Sequence, residues 1–338
     1  MTPQPKKICI LPARLGLGGP ASFQSGLINS FKARDLEVTH DPLDLSVAAI
    51  LLFGAARNLG VVRQAQNRGV RVVQRLNGMN WVHRKKYTGL RHFIKAEAGN
   101  LKLRAVRNMA DRVIYQSQFA REWWEREHGV LTKPQSVIHN GVDIDLFTPQ
   151  PEHKPVDRYR LLMVEAHHGS GYDQGLRSAL QLLQRLENRL DIPCELAVVG
   201  DVPPELQRQL KRPGVTWLGV VKHTEIPTID QTAHLFFSGD INATCPNAAL
   251  EAMACGLPVL AYDTGAMREL VPPGAGRVVP YGGNVWELAE PDGAALVDAA
   301  REILSGQAQY SRQARQHAVE NFNIRDVADK YLEVLLGE

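Results

Sequence analysis

The sequence predicts an α/β protein made of two doubly wound domains. Short β-branched runs alternate with segments of helical periodicity, the alternation occurs twice, and a proline-rich stretch separates the two rounds. At 338 residues the chain exceeds what one hydrophobic core ordinarily fills, and at about 150 residues per domain it has room for two. In the first half strands are expected at 8–11, 36–39, 49–53, 70–74, 112–115 and 136–139, with helices at 21–33, 58–67, 90–108 and 118–127. In the second half strands are expected at 160–164, 195–199, 215–218, 235–237 and 259–262, with helices at 173–187, 204–211, 248–255 and 293–304. Near-continuous apolar strands suit a parallel sheet covered on both faces, because each crossover lays a helix on the sheet. Pro149, Pro151 and Pro155 interrupt both periodicities and put the boundary at 148–157, which gives domains 1–150 and 151–320. Two helical segments follow, 309–321 and 324–336. In the last one Val327, Ala328, Tyr331, Leu332, Val334 and Leu335 recur at helical spacing and need a surface to bury against. Ligands of such sheets sit at the carboxyl ends of the strands, so two facing domains would form an interdomain cleft.

Composition narrows the function classes. With 44% hydrophobic and 22% charged residues the chain is an average globular protein rather than a disordered one. The longest apolar run, 47–56, is about half of what a bilayer span needs, and residues 1–7 lead into a short apolar segment rather than a signal-peptide core. A cytoplasmic location is therefore expected. Cys9, Cys194, Cys245 and Cys255 are too scattered for a disulfide scaffold and show no CxxC spacing. The net charge of +3 conceals two opposite halves. Residues 1–150 carry 22 Lys and Arg against 11 Asp and Glu, whereas residues 151–338 carry 17 against 25. Between Arg57 and Arg107 there are 13 basic residues and a single acid, Glu97. Such a half attracts an anionic partner: nucleic acid, acidic lipid headgroups or acidic sugars. A solvated basic face with no partner is the plain alternative.

Three constellations carry chemistry. Gly16-Leu17-Gly18-Gly19-Pro20-Ala21 lies between the first strand and the first helix, where missing Cβ atoms allow close ligand approach and the helix N-terminus offers N–H groups to an anion. It also reads as a dinucleotide fingerprint with Asp35 or Glu37 as ribose acid, although Pro12 to Leu15 separate it from the strand. Ala166-His167-His168-Gly169-Ser170-Gly171-Tyr172 holds the equivalent place in the second half. Backbone amides there would cradle phosphate, with either imidazole donating a hydrogen bond. Adjacent histidines lack the spacing that puts two ligands on the same side of one element, so a metal site is not expected there. The third is Cys245-Pro246-Asn247-Ala248-Ala249-Leu250-Glu251-Ala252-Met253-Ala254-Cys255-Gly256-Leu257-Pro258-Val259. A turn at Pro246 and Asn247 opens a short helix that Gly256 ends, and Glu251 sits in it among small and apolar residues. A carboxylate there is costly unless something polar meets it; a ribose diol would serve, as would a helix dipole or a buried arginine.

This third segment, followed by Asp263-Thr264-Gly265-Ala266-Met267-Arg268-Glu269-Leu270-Val271, strongly resembles the nucleotide-sugar motif of retaining GT-B glycosyltransferases of family 4. So do His139-Asn140-Gly141-Val142-Asp143 with Phe147, the stretch Asp111 to Ser117, Val199-Gly200-Asp201, and the opening Gly18-Gly19. The resemblance covers nearly the whole chain. It implies an N-terminal Rossmann-like acceptor domain, a C-terminal Rossmann-like donor domain, a cleft between them, and a last helix, within 321–338, that packs back on the first domain. It implies transfer of sugar from a nucleotide diphosphate sugar, a UDP- or GDP-sugar, to a hydroxyl of a glycan or lipid-linked acceptor. No metal and no further cofactor are implied, because helix N-termini and amides steady the departing diphosphate. Glu251 holds the place of the second glutamate of the E-x7-E motif, which binds the donor's ribose. Pro246, Asn247 and Ala248 would lie near the donor sugar and phosphates, joined by Gly18 and Gly19 and by His167, His168, Gly169 and Gly171.

The chain also departs from the family pattern. The first glutamate of the pair falls at Ala243, where Asp240 or Asn242 would have to reach instead. The Arg and Lys that commonly flank the diphosphate are missing from 166–172, and the histidine usual after strand 70–74 is Asn77. Either amides and His167 or His168 hold the phosphates in this chain, or it binds nucleotide sugar with weakened chemistry. No side chain is assigned as catalytic, and Asn77 and Asp240 are the candidates. On the basic half, Trp81, His83, Arg84, Lys85, Lys86, Tyr87 and Arg91 mix aromatics with charge as interfacial segments do, so an anionic membrane surface is an expected partner. Of Trp123 and Trp124, a helix face is expected to bury one. A nicotinamide-dependent oxidoreductase is the rival that the first glycine motif keeps open. Nucleic acid is not expected, because no recognised reader module accompanies the charge.

Overall fold

The computed structural model describes residues 7–16, 18–56, 58–168 and 173–337. The chain divides into two compact units, one ending at Gly141 and resuming at Ile324, the other spanning Val142–Asn323. In the first, strands β1 (Lys7–Leu11), β2 (Glu37–Thr39), β3 (Val47–Phe53), β4 (Arg71–Leu76), β5 (Arg112–Tyr115) and β6 (Gln135–Val137) form one parallel sheet in the order β2-β1-β3-β4-β5-β6. Helices α1 (Gly19–Lys32), α2 (Leu59–Asn67), α3 (Leu90–Met109) and α4 (Gln118–His128) are its crossovers. The second unit strings β7 (Tyr159–His167), α5 (Gln174–Glu187), β8 (Cys194–Asp201), α6 (Pro204–Gln209), β9 (Val215–Gly219), α7 (Ile226–Asp230), β10 (Leu235–Ser238), α8 (Asn247–Ala254), β11 (Val259–Tyr262), α9 (Met267–Leu270), β12 (Gly276–Val279), α10 (Ala294–Ser305) and α11 (Gln307–Phe322). Its parallel sheet runs β12-β11-β10-β7-β8-β9. Helix α12 (Ile324–Leu336) returns to the first unit.

Strand β3 shows how the sequence makes this architecture. Its residues Val-Ala-Ala-Ile-Leu-Leu-Phe are apolar throughout, and successive side chains leave opposite faces of the sheet. Ala49, Leu51 and Phe53 join the core beneath α1 and α12, while Ile50 and Leu52 join the core beneath α2 with Val106 and Ala110. Local signals start the helices: Asn58 accepts from the backbone N–H of Val61, and Ser117 from that of Ala120. Helix α12 buries the stripe read from its sequence. Val327, Ala328, Tyr331, Val334 and Leu335 lie in the core with Phe23, Leu27 and Phe31 of α1. At its edge the Arg34 guanidinium grips both oxygens of Asp329 at 2.6 and 2.8 Å.

Three differences from the sequence reading have physical causes. Strand β12 and helices α7 and α9 are too short to show periodicity, and β12 opens on Gly276, where a Cβ would strike the Val259 carbonyl oxygen. Strand β7 runs three residues further than expected and takes His167 with it. The division falls at 141/142, ahead of the prolines. Residues 144–148 are already tied to the second unit, through Arg315 on the Ile144 and Phe147 carbonyls and Gln231 on that of Thr148.

The His139-Asn140-Gly141 motif acts as a joint in the first unit. Asn140 is buried and accepts from Arg75 at 2.6 Å, and the Arg75 guanidinium lies over the rings of Phe23 and Phe53. A Cβ on Gly141 would come 2.7 Å from the Cα of Ile324, where α12 begins. Gly141→Ala therefore overpacks this contact and should cost about 1–3 kcal/mol, read as a lower melting temperature. An unchanged melting curve would show that Ile324 can yield.

Candidate functional site

Strands β7 and β10 are neighbours, yet β8 lies on the far side of β7 and β11 on the far side of β10. The loops leaving their carboxyl ends diverge, which opens a crevice at that end of the second sheet. Gly239 and Gly175 approach so closely there that a Cβ on either would meet the other's backbone within 2.9 Å, so α5 starts directly against the end of β10. Gly200 must also be glycine, because its φ is +128° and a Cβ would lie 1.8 Å from the Glu165 carbonyl oxygen.

The two histidines divide. His167, half exposed, places Nδ1 3.0 Å from an Asp201 carboxylate oxygen. His168 turns inward and is fully buried; its Nε2–H donates to the Val199 carbonyl at 3.1 Å and its backbone N–H to the Asp201 carbonyl. Burial holds its imidazole below the usual value, hence neutral. This corrects the expectation that His168 is a phosphate donor, since a ring sealed between two strand ends cannot reach a ligand. Gly169 and Gly171 lie outside the described residues.

Two carboxyls stand over the same crevice. Surrounding protein withdraws Asp240 from bulk water although solvent still reaches it, and its carboxyl is pushed up to about 6. Glu165 is raised well above the usual range by the same loss of hydration and then by the charge of Asp240. The position expected for a first glutamate, Ala243, is buried under the turn 263–266: its carbonyl accepts from the Ala266 N–H at 2.8 Å, and Gly265 packs against its backbone.

Helix α8 carries Glu251 as expected, with Asn247 buried, Pro246 and Ala248 half-buried, and no side-chain cap. The Glu251 side chain is 9% exposed, and its Oε1 lies 2.7 Å from Nε2 of His223. The imidazole is raised above its usual value by that hydrogen bond. The Phe147 ring sits against it, centroids 5.4 Å apart, and Arg315 from α11 fixes the Phe147 carbonyl at 2.6 Å and that of Ala254, at the end of α8, at 2.7 Å. His223 lay in a polar stretch that no sequence pattern marked. Asp230 is equally unannounced: it is buried at the end of α7, with only the weak thiol of Cys255 alongside, and burial and then the charge of Glu251 raise its carboxyl well above the usual range.

In the first unit, Gly18 precedes α1 with φ +97° and accepts from the N–H groups of Ala21 and Ser22, while Gly19 is the first helical residue. Asn77 is exposed after β4, its carbonyl held by the Trp124 indole at 2.7 Å. Both Trp123 and Trp124 are buried, where the sequence reading expected one. Of the mixed aromatic and basic segment, Lys85, Lys86 and Arg91 are exposed and Trp81 is half-buried. Arg84 forks onto both oxygens of Glu97 at 2.6 and 2.9 Å, and buried His83 reaches the same carboxylate at 2.8 Å. Arg84 is thus a partner of the lone acid rather than an open cation, and it holds the Glu97 carboxyl down at about 2. An exposed apolar stripe on α3 continues the surface: Leu90, Ile94 and Leu101, with Tyr87 before it and Lys95 and Lys102 beside it. Among the described residues no helix is long and apolar enough to cross a membrane, and no three His, Cys, Asp or Glu side chains gather as a metal-holding group.

Residues 12–146 match the sequence family described as Glycosyltransferase Family 4, and residues 159–305 match Glycosyl transferases group 1. The GDP-mannose-dependent alpha-(1-6)-phosphatidylinositol monomannoside mannosyltransferase of Mycolicibacterium smegmatis is 26% identical over 265 residues. That alignment covers 70% of this chain and 64% of the relative, so the chain spans somewhat under two thirds of that protein. Among solved structures, sucrose-phosphate synthase from Thermosynechococcus elongatus superposes with a TM-score of 0.72 at 17% identity, covering 98% of each chain. Anabaena HepE in complex with UDP and glucose gives 0.68 at 17% identity, covering 98% of this chain and 99% of that one. The likeness to these structures places the two-domain α/β fold in the GT-B class.

The raised Asp240 carboxyl has a stability consequence. A group whose proton is favoured by the fold contributes fully below its ordinary value of 3.8 and loses that contribution as pH rises through about 6. Asp240→Asn should therefore melt above the wild-type protein at pH 8, with the difference closing toward pH 4. Parallel melting curves across that range would show that Asp240 ionises freely.

Proposed function

This chain belongs to the family 4, group 1 glycosyltransferases, and on that premise we propose that it moves a sugar from a nucleotide diphosphate sugar to a hydroxyl of a glycan or lipid-linked acceptor, with retention of configuration and without a metal. The observation that carries this reading is the nearly buried Glu251 carboxylate on α8 at the carboxyl end of the second sheet, with His223 on one oxygen and the other left for a ribose diol. A diol donates two hydrogen bonds to a carboxylate and so offsets part of its desolvation. HepE holds UDP and glucose, and the mycobacterial relative is named for GDP-mannose; both support a nucleotide diphosphate sugar as donor. The first unit would then receive the acceptor.

In this reading Glu251 fixes the ribose. Asn247 and Ala248 open α8, whose N-terminal amides would stabilise charge as it develops on the leaving group, and Gly18 and Gly19 keep the donor-binding role expected of them at the opening of α1. His167, with its Nδ1 on Asp201, is the imidazole of the pair that stays at the surface. No side chain is assigned as nucleophile; the leaving diphosphate would itself take the acceptor proton. With its raised carboxyl, Asp240 is suited to meet sugar hydroxyls, in place of the glutamate missing at Ala243. Glu251→Gln removes a charged acceptor and should weaken nucleotide-sugar binding about tenfold or more by calorimetry. Equal affinity in both proteins removes Glu251 from the donor site.

The basic half is assigned an anionic membrane surface. Leu90, Ile94 and Leu101 form an exposed apolar stripe suited to the acyl boundary, with Lys85, Lys86, Arg91, Lys95 and Lys102 around it, and the one acid in the segment is already neutralised. On this reading the chain would act as a peripheral protein at the inner face of the membrane. Each cation near an acidic bilayer contributes about 1 kcal/mol, so replacing Lys85, Lys86 and Arg91 by Glu should lower binding to acidic vesicles by at least about a hundredfold. Sedimentation with vesicles checks it; equal binding to neutral vesicles, or none to acidic ones, rejects the surface.

A further inference from the structure

Glu251 does not stand alone in its pocket. The segment from His223 to Asp230, a short turn running into α7, packs on α8 and places a titratable group near Glu251 from each end. Asp230 is buried and without a strong hydrogen bond, and burial first and the charge of Glu251 second raise its carboxyl well above the usual range. Arg315 of α11 reaches the Ala254 carbonyl at the end of α8 and the Phe147 carbonyl, and His223 is hydrogen-bonded to Glu251, 2.7 Å away and itself braced by the Phe147 ring. On its own turn, Glu225 folds back to the Lys222 backbone N–H, and Lys222 precedes it. The hydrogen bond to Glu251 in turn raises the His223 imidazole above its usual value.

We infer that His223 is a positioning residue for the donor: it holds one oxygen of Glu251 so that the other faces the ribose, and its charge makes donor affinity pH-dependent. The inference rests on Glu251 being the ribose-binding carboxylate. The charged imidazole both orders the carboxylate and adds attraction for a diphosphate. Because Glu251 raises the imidazole above its usual 6.5, affinity should be flat in mild acid and fall as pH rises through that raised value.

The test is calorimetric binding of UDP-glucose and GDP-mannose from pH 6 to 8.5, using whichever binds; as phosphodiesters they lack the phosphate proton that titrates near pH 6 in a monoester. Wild-type affinity should fall about fivefold across the range, the loss expected when a charged hydrogen bond becomes a neutral one. His223→Gln keeps a side-chain donor without a titrating charge; it should bind as weakly as the wild type at pH 8.5 and show no slope. His223→Phe keeps an aromatic ring against Phe147 but no donor, and should bind more weakly still at every pH. A flat wild-type profile, or a slope that survives in His223→Gln, overturns the inference. If Glu251→Gln binds like the wild type, the donor-site reading itself fails; if Glu251→Gln weakens binding while His223→Gln keeps the slope, only the role of His223 fails.

Discussion

The structure turns on one carboxylate placed where water scarcely reaches. A carboxyl in such surroundings is costly unless a polar group meets it, and Glu251 is met at one oxygen by His223, while the Asp230 carboxyl near it is raised well above the usual range by burial. Holding the pair requires more than the two side chains. The Phe147 ring limits where the imidazole can go, and the Arg315 guanidinium ties the Phe147 backbone to the end of α8. Helix α8 is apolar on every other side, with Leu250, Ala252, Met253 and Ala254 buried, so Glu251 has little freedom to move away from its partner. A packed helix thus determines the direction in which a polar group points.

Much of this was legible from residue order alone. Strands such as β3 and β11 are continuous apolar runs, and helices such as α5 and α12 carry one apolar stripe, so period and length identified them. Glu251 stood out because a carboxylate within Ala-Ala-Leu-Glu-Ala-Met-Ala has no local reason to be there. The missed elements, α7, α9 and β12, are four or five residues long and took their conformation from neighbours: β12 from its pairing with β11, α7 from packing on α8.

The site residues misjudged from sequence share a different cause. Adjacent His167 and His168 look equivalent on paper, but the end of a strand sends successive side chains opposite ways, so one stays at the surface and the other is buried. Arg84 looked like one more surface cation because its partner, Glu97, is thirteen positions away on α3. His223 and Asp230 carry no motif at all, and what they do depends on which helix they pack against. Local pattern reveals an element's face, whereas pairing across elements is a property of the folded chain.

The first unit is interrupted in sequence: its sheet and α1 are made early, while α12, which covers the same face with Tyr331 and Val334, follows only after the 182 residues of the second unit. During synthesis the whole of the second unit therefore emerges while Phe23, Leu27 and Phe31 still lack their lid. Translation at about 5–20 residues per second leaves that apolar face uncovered for many seconds. The nascent protein is thus most exposed to misassociation when every element except α12 has already been made.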